Sequence, residues 1–146
     1  MSFTVTIKTR SRKSIEAMLL KFGNVAEKSL HRGMYLSGEH IMGESKEHHV
    51  PVDTSTLKNS GYVTLPKTVQ NRNGNKYTQG SAVVVELGYG GFAADYALKV
   101  HEDLDAFHVV GSAKYLEIPW NENINNEMRK IRKRIRRDVR SQTPLR

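Results

Sequence analysis

Hydrophobic residues recur every three or four positions over the first third of the chain, the spacing of one face of an α-helix. This pattern predicts a helix over residues 14–47, which would be about 50 Å long. Because that exceeds the diameter of a small domain, we expect the helix to kink or to reach a neighbouring subunit, with Met34 and Ile41 at the contact. The stripe consists of Ile15, Met18, Leu19, Phe22, Val25, Ala26, Leu30, Met34 and Ile41.

Four glycines interrupt this helical stripe, at Gly23, Gly33, Gly38 and Gly43. Each glycine weakens a helix by about 1 kcal/mol relative to alanine. The glycines therefore favour a break between Gly33 and Gly43 over one straight helix. The alternative use of these glycines is close approach of another part of the backbone.

Alternation of apolar and polar residues predicts strands on either side of the helix. Residues 2–8 alternate around Phe3, Val5 and Ile7, and residues 61–70 and 76–88 also have strand character. Residues 71–75 contain an Asn-Gly pair, which is typical of a tight reversal between two strands. The chain therefore contains a predicted β-hairpin after the long helix.

The segment 51–61 is a corner between the helix and the hairpin. Pro51 lacks a backbone N–H and disfavours helix in the residues before it, so the preceding helix must stop here. Asp53 or Thr54 is expected to cap a short helical turn that carries Leu57, and residues 59–61 are expected to end it.

The last third predicts a short helix or turn over residues 96–102, a polar loop over 103–110, and an amphipathic C-terminal helix entered at Ser112 or after Trp120. Ile124, Met128, Ile131, Ile135 and Val139 step by four, three, four and four, so they share one face. The expected fold is α+β, with a small antiparallel sheet packed by a long N-terminal helix and a basic C-terminal helix. One domain over residues 1–140 is followed by a frayed tail at 141–146.

The net charge of +8 is concentrated at the C-terminal end. Residues 127–146 contain nine Lys and Arg against two acidic residues, a net charge of +7, which leaves +1 for residues 1–126. Such asymmetry indicates a polyanionic partner or an acidic protein surface. The candidate anion-binding residues are Arg129, Lys130, Arg132, Lys133, Arg134, Arg136 and Arg137.

Candidate catalytic chemistry is sparse. One cluster, His101, Glu102, Asp103, Asp105 and His108, has metal-ligating residue types, but its spacing is not that of a helical zinc motif, so a solvated loop is favoured. The chain has no cysteine, which excludes disulfides and thiolate metal sites. We expect no catalytic residue, no cofactor, no metal and no enzyme, and a small hydrolase is the least favoured function.

Three segments resemble the signature of the tail-component, or minor capsid, proteins of tailed bacteriophages. Residues 51–60 are similar to that family's Pro-Val-Asp-Thr-Gly-x-Leu-Arg/Lys-x-Ser, residues 96–102 to Tyr-Ala-x-x-Val-His-Glu, and residues 111–117 to Gly-x-Ala-Lys-Phe/Tyr-Leu-Glu. Ser55 departs from the pattern, which usually has Gly, and would cost about 1 kcal/mol if the backbone there has a positive φ. The basic extension after Arg129 is a second departure.

The resemblance implies a structural protein of the virion neck, assembled in the host cytoplasm as a cyclic ring, with six or twelve copies expected. Such a protein acts by fit and not by catalysis. Its implied partners are copies of itself and the adjoining neck proteins, namely a connector or head-closure ring and a tail terminator, with genome DNA in the channel as a further candidate and no membrane. The residues implied to build the corner are Pro51, Asp53, Thr54, Leu57, Tyr96 and His101.

Two alternatives stay open beside the neck ring. One is a tail terminator ring, and the other is a nucleic-acid-binding module that uses the basic C-terminal helix. For the basic helix, an acidic face on an adjoining ring is favoured over DNA, because a channel through which DNA slides should not hold phosphates tightly.

Overall fold

The structure is a computed structural model that describes residues 12–52, 55–70 and 81–142. The predicted α+β fold class is confirmed: a long helix packs against a small antiparallel sheet and a C-terminal helix. The predicted first strand, the hairpin turn at 71–75 and the end of the tail at 143–146 lie outside the described residues. The helices are α1 (Arg12–Glu44), α2 (Thr56–Asn59), α3 (Ala97–Glu102) and α4 (Glu117–Ser141), and the strands are β1 (Tyr62–Val63), β2 (Lys67–Gln70), β3 (Ser81–Val84) and β4 (Leu87–Gly88).

Helix α1 is unbroken, so the predicted break between Gly33 and Gly43 is wrong. A Cβ at Gly33 would lie 3.2 Å from Ile131 of α4, and a Cβ at Gly38 would lie 3.0 Å from Val63 of β1. These two glycines therefore let side chains of α4 and the sheet approach α1 closely. Tertiary packing outweighs the weakening of the helix that glycine causes.

The long helix ends in a single π-helical turn over Ser45–His49, followed by Val50 in an extended conformation before Pro51. The backbone N–H of Val50 donates to the carbonyl of Ser45 at 2.8 Å, which closes the wide turn. The helix thus stops at the residue before the proline, where the proline ring disfavours helical geometry.

Helices α1 and α4 run antiparallel along a shared seam. The Ser29 hydroxyl donates to Asp138 at 2.8 Å, and the Ser37 hydroxyl donates to Glu127 at 2.9 Å. Residues further along α1 contact residues earlier in α4, and Ser29 already lies opposite Asp138, close to the last residue of α4, Ser141. The turns of α1 that precede Ser29 therefore extend beyond the end of α4. Leu19 and Leu20 in these turns are 60% and 70% exposed.

Ile41 belongs to the core of the monomer, because only 1% of its surface is exposed. Its expected role as a subunit-contact residue is therefore wrong, since an aspartate there would disrupt the core of the monomer itself. Met34 is half-buried. The free end of α1 is its N-terminal end, away from both residues.

The predicted hairpin is present, but each of its strands is divided in two. β2 pairs with β3 and β1 pairs with β4, both antiparallel. Pro66 interrupts the first strand, since proline has no N–H for the ladder. Between the two ladders the Thr64 N–H donates to the Glu86 carbonyl at 2.8 Å, and the Glu86 N–H donates to the Thr64 hydroxyl at 2.9 Å.

Helix α4 begins at Glu117, so both predicted entry points, at Ser112 and after Trp120, are wrong. Gly111 and Lys114 have positive φ angles of 84° and 57°, which α-helix does not allow. Pro119 sits in the first turn of α4, where a missing N–H breaks no helical hydrogen bond. Of the predicted apolar face, Ile131 is buried and Met128 is exposed.

One charged residue, Glu127, is buried in the seam, and the hydrophobic pattern does not reveal it. Its carboxylate accepts hydrogen bonds from Lys130 at 2.6 Å and from Ser37 at 2.9 Å, and His40 lies 3.3 Å away. Burial alone would raise the pKa of Glu127, but the hydrogen bonds from Lys130 and Ser37 outweigh it and hold the pKa below the ordinary 4.5. The carboxylate is therefore ionised in the folded state at neutral pH.

The Glu127 site predicts acid sensitivity. Because its pKa is lower in the folded than in the unfolded chain, the ionised group adds stability above pH 4.5, and that contribution is lost as the pH falls through the folded-state pKa. We expect the free energy of unfolding, measured with urea at several pH values, to decrease more steeply below pH 4.5 in the native chain than in Glu127→Gln. Glu86→Gln removes an exposed carboxylate and is the control. The prediction would be contradicted if both variants reduced the pH dependence of the free energy of unfolding equally.

The close packing at Gly38 predicts a large cost for any side chain there. Gly38→Leu should lower the free energy of unfolding by about 1–3 kcal/mol, because the added atoms overlap Val63. Gly23→Leu is the matched control, since a Cβ at Gly23 meets nothing within 4 Å. Urea denaturation of both variants decides the matter, and equal losses would show that Gly38 is not a packing site.

Candidate functional site

The three segments that carry the family resemblance meet at one place in the structure, here called the junction. Val50, Leu57, Ala97 and Tyr115 form a buried cluster there. Segment 51–60 supplies Leu57, segment 96–102 supplies Ala97, and segment 111–117 supplies Tyr115. Tyr89, Val100 and Leu116 pack around this cluster while partly buried.

Tyr115 lies at the centre of the junction with 1% of its surface exposed. Its hydroxyl donates to the carbonyl of Ala97 at 2.7 Å, and its own carbonyl accepts a hydrogen bond from the Ser45 hydroxyl at 2.6 Å. Its ring meets His101 and Tyr89 edge-on, with centroids 4.9 and 5.0 Å apart. Burial raises the pKa of Tyr115 to about 12, so the hydroxyl stays a hydrogen-bond donor.

Gly111 fits against the corner because it has no side chain. With φ at 84°, a Cβ would lie 2.6 Å from the His49 carbonyl oxygen and 2.6 Å from the Pro51 nitrogen. The next residue, Ser112, donates its N–H to the same His49 carbonyl at 2.8 Å. The loop before α4 is therefore fastened directly to the end of α1, and glycine is the residue that this contact allows.

A group of charged residues surrounds the exposed side of the junction. The Lys114 amino group donates to Glu102 and lies 3.2 Å from Glu117, and Nδ1 of His101 lies 2.7 Å from Glu102. The hydrogen bond from Lys114, followed by that from His101, lowers the pKa of Glu102, and the bonds to Glu102 and Glu117 raise the pKa of Lys114. These ion pairs join α3 to the residues before α4, but exposed ion pairs contribute little to the free energy of folding.

The residues predicted to build the corner have different positions. Leu57 is 4% exposed, as expected of a residue that anchors the corner, and Pro51 is also buried. His101 packs edge-on against Tyr115. Tyr96 precedes α3 with its side chain 39% exposed, and lies outside the buried cluster. Asp53 and Thr54 lie outside the described residues.

Ser45 is a junction residue that sequence reasoning missed. Its hydroxyl donates to the Tyr115 carbonyl and lies 2.8 Å from the Tyr89 hydroxyl. A small polar residue near the end of a helical stripe gives no signal of this role, because its partners come from residues 44 and 70 positions later. The role of Tyr115 could be predicted in part, because the residue lies in the third segment that resembles the family signature, residues 111–117.

Ser55 adopts the left-handed conformation, with a φ of 61°. This is the position where the resembled signature has glycine. A side chain in that conformation costs about 1–2 kcal/mol. Ser55 precedes the first residue of α2, and its side chain makes no capping hydrogen bond that would offset the strain.

His101 lies between two surface depressions. Two open depressions flank this residue, lined by apolar side chains such as Leu87 and Leu116 together with Glu102 and Glu117, and no described serine, threonine or cysteine lines either one. Within the described part of the chain, no three His, Cys, Asp or Glu side chains are grouped to hold a metal ion.

The seven candidate anion-binding residues of α4 fall into two groups. Lys130 is hydrogen-bonded to Glu127 and Arg137 to Asp138, at 2.6 and 2.9 Å, so the charges of these two are paired within α4 although their side chains are exposed, and Arg134 is half-buried. The other four point outward and are exposed, and the later Arg140 joins them. The outward residues are Arg129, Arg132, Lys133, Arg136 and Arg140.

Comparison of the chain with models of protein families, with curated protein sequences and with solved structures found no match. No helix within the described residues is long and apolar enough to cross a membrane.

The strained turn at Ser55 predicts that glycine is the better residue. Ser55→Gly should raise the free energy of unfolding by about 1 kcal/mol, because glycine adopts a positive φ without steric cost. Ser60→Gly is the control: Ser60 has a φ of −76° and its hydroxyl donates to the Leu57 carbonyl, so its loss should lower stability by about 1 kcal/mol. Chemical denaturation measures both changes, and a loss of stability in Ser55→Gly would contradict the strain argument.

Proposed function

We propose that this chain is a structural protein of the tailed-bacteriophage neck, which assembles as a cyclic ring and docks onto adjoining neck proteins. The observation that carries the proposal is the meeting of the three resembled segments at the junction. Short similarities that arose by chance at residues 51–60, 96–102 and 111–117 would have no reason to pack together. The roles of their side chains support a structural protein, because Leu57, Ala97 and Tyr115 are packing residues.

Exposed apolar side chains support assembly. The described residues bury eight hydrophobic side chains and leave eighteen large hydrophobic ones exposed, which is a small core beside much uncovered apolar surface. Scattered exposed apolar residues are ordinary, but clusters of them mark contact surfaces. Two such clusters lie at opposite ends of α1.

The first cluster is the α1 patch, Ile15, Leu19 and Leu20, on the turns that extend beyond α4. The second is the loop patch, our name for three exposed side chains in the segment that follows the sheet, Phe92, Leu98 and Phe107, of which Phe107 is 90% exposed. The hydrogen bond between Ser112 and His49 holds the loop segment at the C-terminal end of α1. From Leu20 to His49 the helix rises by about 44 Å, so the two patches are far apart on one molecule.

Two different patches at opposite ends suit a head-to-tail contact, in which the α1 patch of one copy meets the loop patch of the next. Contacts of this kind close into rings when the rotation between copies closes. The proposed ring therefore uses the long reach of α1 to cover apolar side chains that are exposed among the described residues. Six or twelve copies are proposed, and a tail terminator ring would be built by the same contact.

The ring is tested by its mass. We expect the native chain to elute as a multiple of 16.6 kDa, six or twelve copies, when size-exclusion chromatography is combined with light scattering. The double variant Leu19→Asp, Leu20→Asp should be monomeric with unchanged helix content, because charge in the α1 patch cannot be buried against the loop patch.

Leu36→Asp is the matched control, since Leu36 is an exposed leucine in the middle of the same helix. It should leave the assembly intact. Phe107→Asp should disperse the assembly as the α1 variant does, because it changes the opposite side of the same contact. A native chain that stays monomeric at high concentration, or a Leu36 variant that disperses equally, would contradict the proposed contact.

A further inference from the structure

The outward surface of α4 carries a straight row of basic side chains that ring assembly does not use. Arg129, Lys133, Arg136 and Arg140 follow one another at steps of four, three and four, so they lie above one another on one side of the helix. All four are exposed, and Ile131 on the opposite side faces α1. We call these four residues the basic row.

The charges of the basic row are not neutralised within the described part of the chain. None of the four has an ion pair with a described residue, in contrast to Lys130 and Arg137, which meet Glu127 and Asp138. The only acidic residue between positions 128 and 140 is Asp138, which is engaged with Ser29 and Arg137. Like charges at steps of four repel each other and weaken the helix, so a bound anion would stabilise it.

The chemistry of the row distinguishes between two kinds of anionic partner. The centres of protein–protein interfaces are depleted in charged side chains and enriched in aromatic and apolar ones. The basic row contains only charged side chains, so it does not resemble the centre of a protein interface. A phosphate backbone needs only cations, and it is bound by release of counterions. Arginine, three of the four residues here, pairs with phosphate oxygens through two parallel hydrogen bonds.

The dimensions also suit duplex DNA. The row is about 16 Å long, and a duplex presents one phosphate charge per about 1.7 Å of its axis, so several phosphates lie within reach of four cations. The row contains no Asn or Gln that would recognise adenine and no Asp or Glu that would recognise cytosine, and its Arg and Lys side chains pair with phosphates as well as with guanine. We infer that the basic row binds the sugar–phosphate backbone of duplex DNA without sequence preference. This inference replaces the sequence-based preference for an acidic protein face, rests on α4 alone and is independent of the proposed ring.

The test is a salt-dependent titration of the full chain against a labelled duplex of about 30 base pairs, in which log K is plotted against log salt. The native chain should show a slope of about −3 to −4, the value for four phosphate contacts. Replacing the four residues of the row with Gln should weaken binding at least tenfold at about 100 mM salt and bring the slope toward zero.

The control variant removes the same charge elsewhere, with Lys21, Lys28, Lys67 and Lys99 replaced by Gln, all of them exposed. Its affinity should stay within about threefold of native, because the row and not the net charge makes the contacts. Equal weakening in both variants, or a preference above tenfold for one duplex sequence, would overturn the inference.

Competition separates DNA from an acidic protein surface. When competitor concentrations are expressed as moles of negative charge, unlabelled duplex should displace the labelled duplex at a lower concentration than polyglutamate does. If polyglutamate competes equally well, the row faces an acidic protein and the inference of DNA binding is wrong. Light scattering on the same samples reports assembly separately, so loss of DNA binding and loss of the ring are distinguishable, and circular dichroism verifies that α4 is still helical.

Discussion

The hydrogen bonds of Tyr115 hold together elements that are distant in the sequence. Its hydroxyl bonds the first turn of α3, and its carbonyl bonds the end of the long helix through Ser45. Both bonds are shielded from water, so removal of one partner would leave a buried polar group unsatisfied, which costs about 1–3 kcal/mol. Tyr115 thereby links the end of the long helix, α3 and the residues just before α4.

Much of the helical architecture follows from the sequence because the signals are local. The apolar spacing from Ile15 to Ile41 and the proline at position 51 are enough to predict α1 and its end. The spacing of the apolar residues in α4 likewise predicts which side of that helix faces α1, and Ile131 lies at the centre of this side. The corner residue Leu57 is buried because it is the one large apolar side chain in a polar turn.

The remaining features depend on partners that periodicity does not reveal. Gly33 and Gly38 act as contact surfaces for Ile131 and Val63, so counting them as helix-weakening residues gave the wrong result. Glu127 occupies a position that polarity assigns to the surface, yet Ser37 and Lys130 make its burial possible. The start of α4 is set by the backbone of Gly111 against the corner, which is a tertiary contact.

The overhang of α1 beyond α4 has a consequence for the timing of association. Among the described residues no helix packs against these first turns, so their hydrogen bonds would open at lower cost than those of the part of α1 that packs on α4. Association of a segment that must become ordered gives up part of its interaction energy to that ordering. For the proposed ring, the consequence would be that monomers associate slowly until a partner surface orders the first turns of α1.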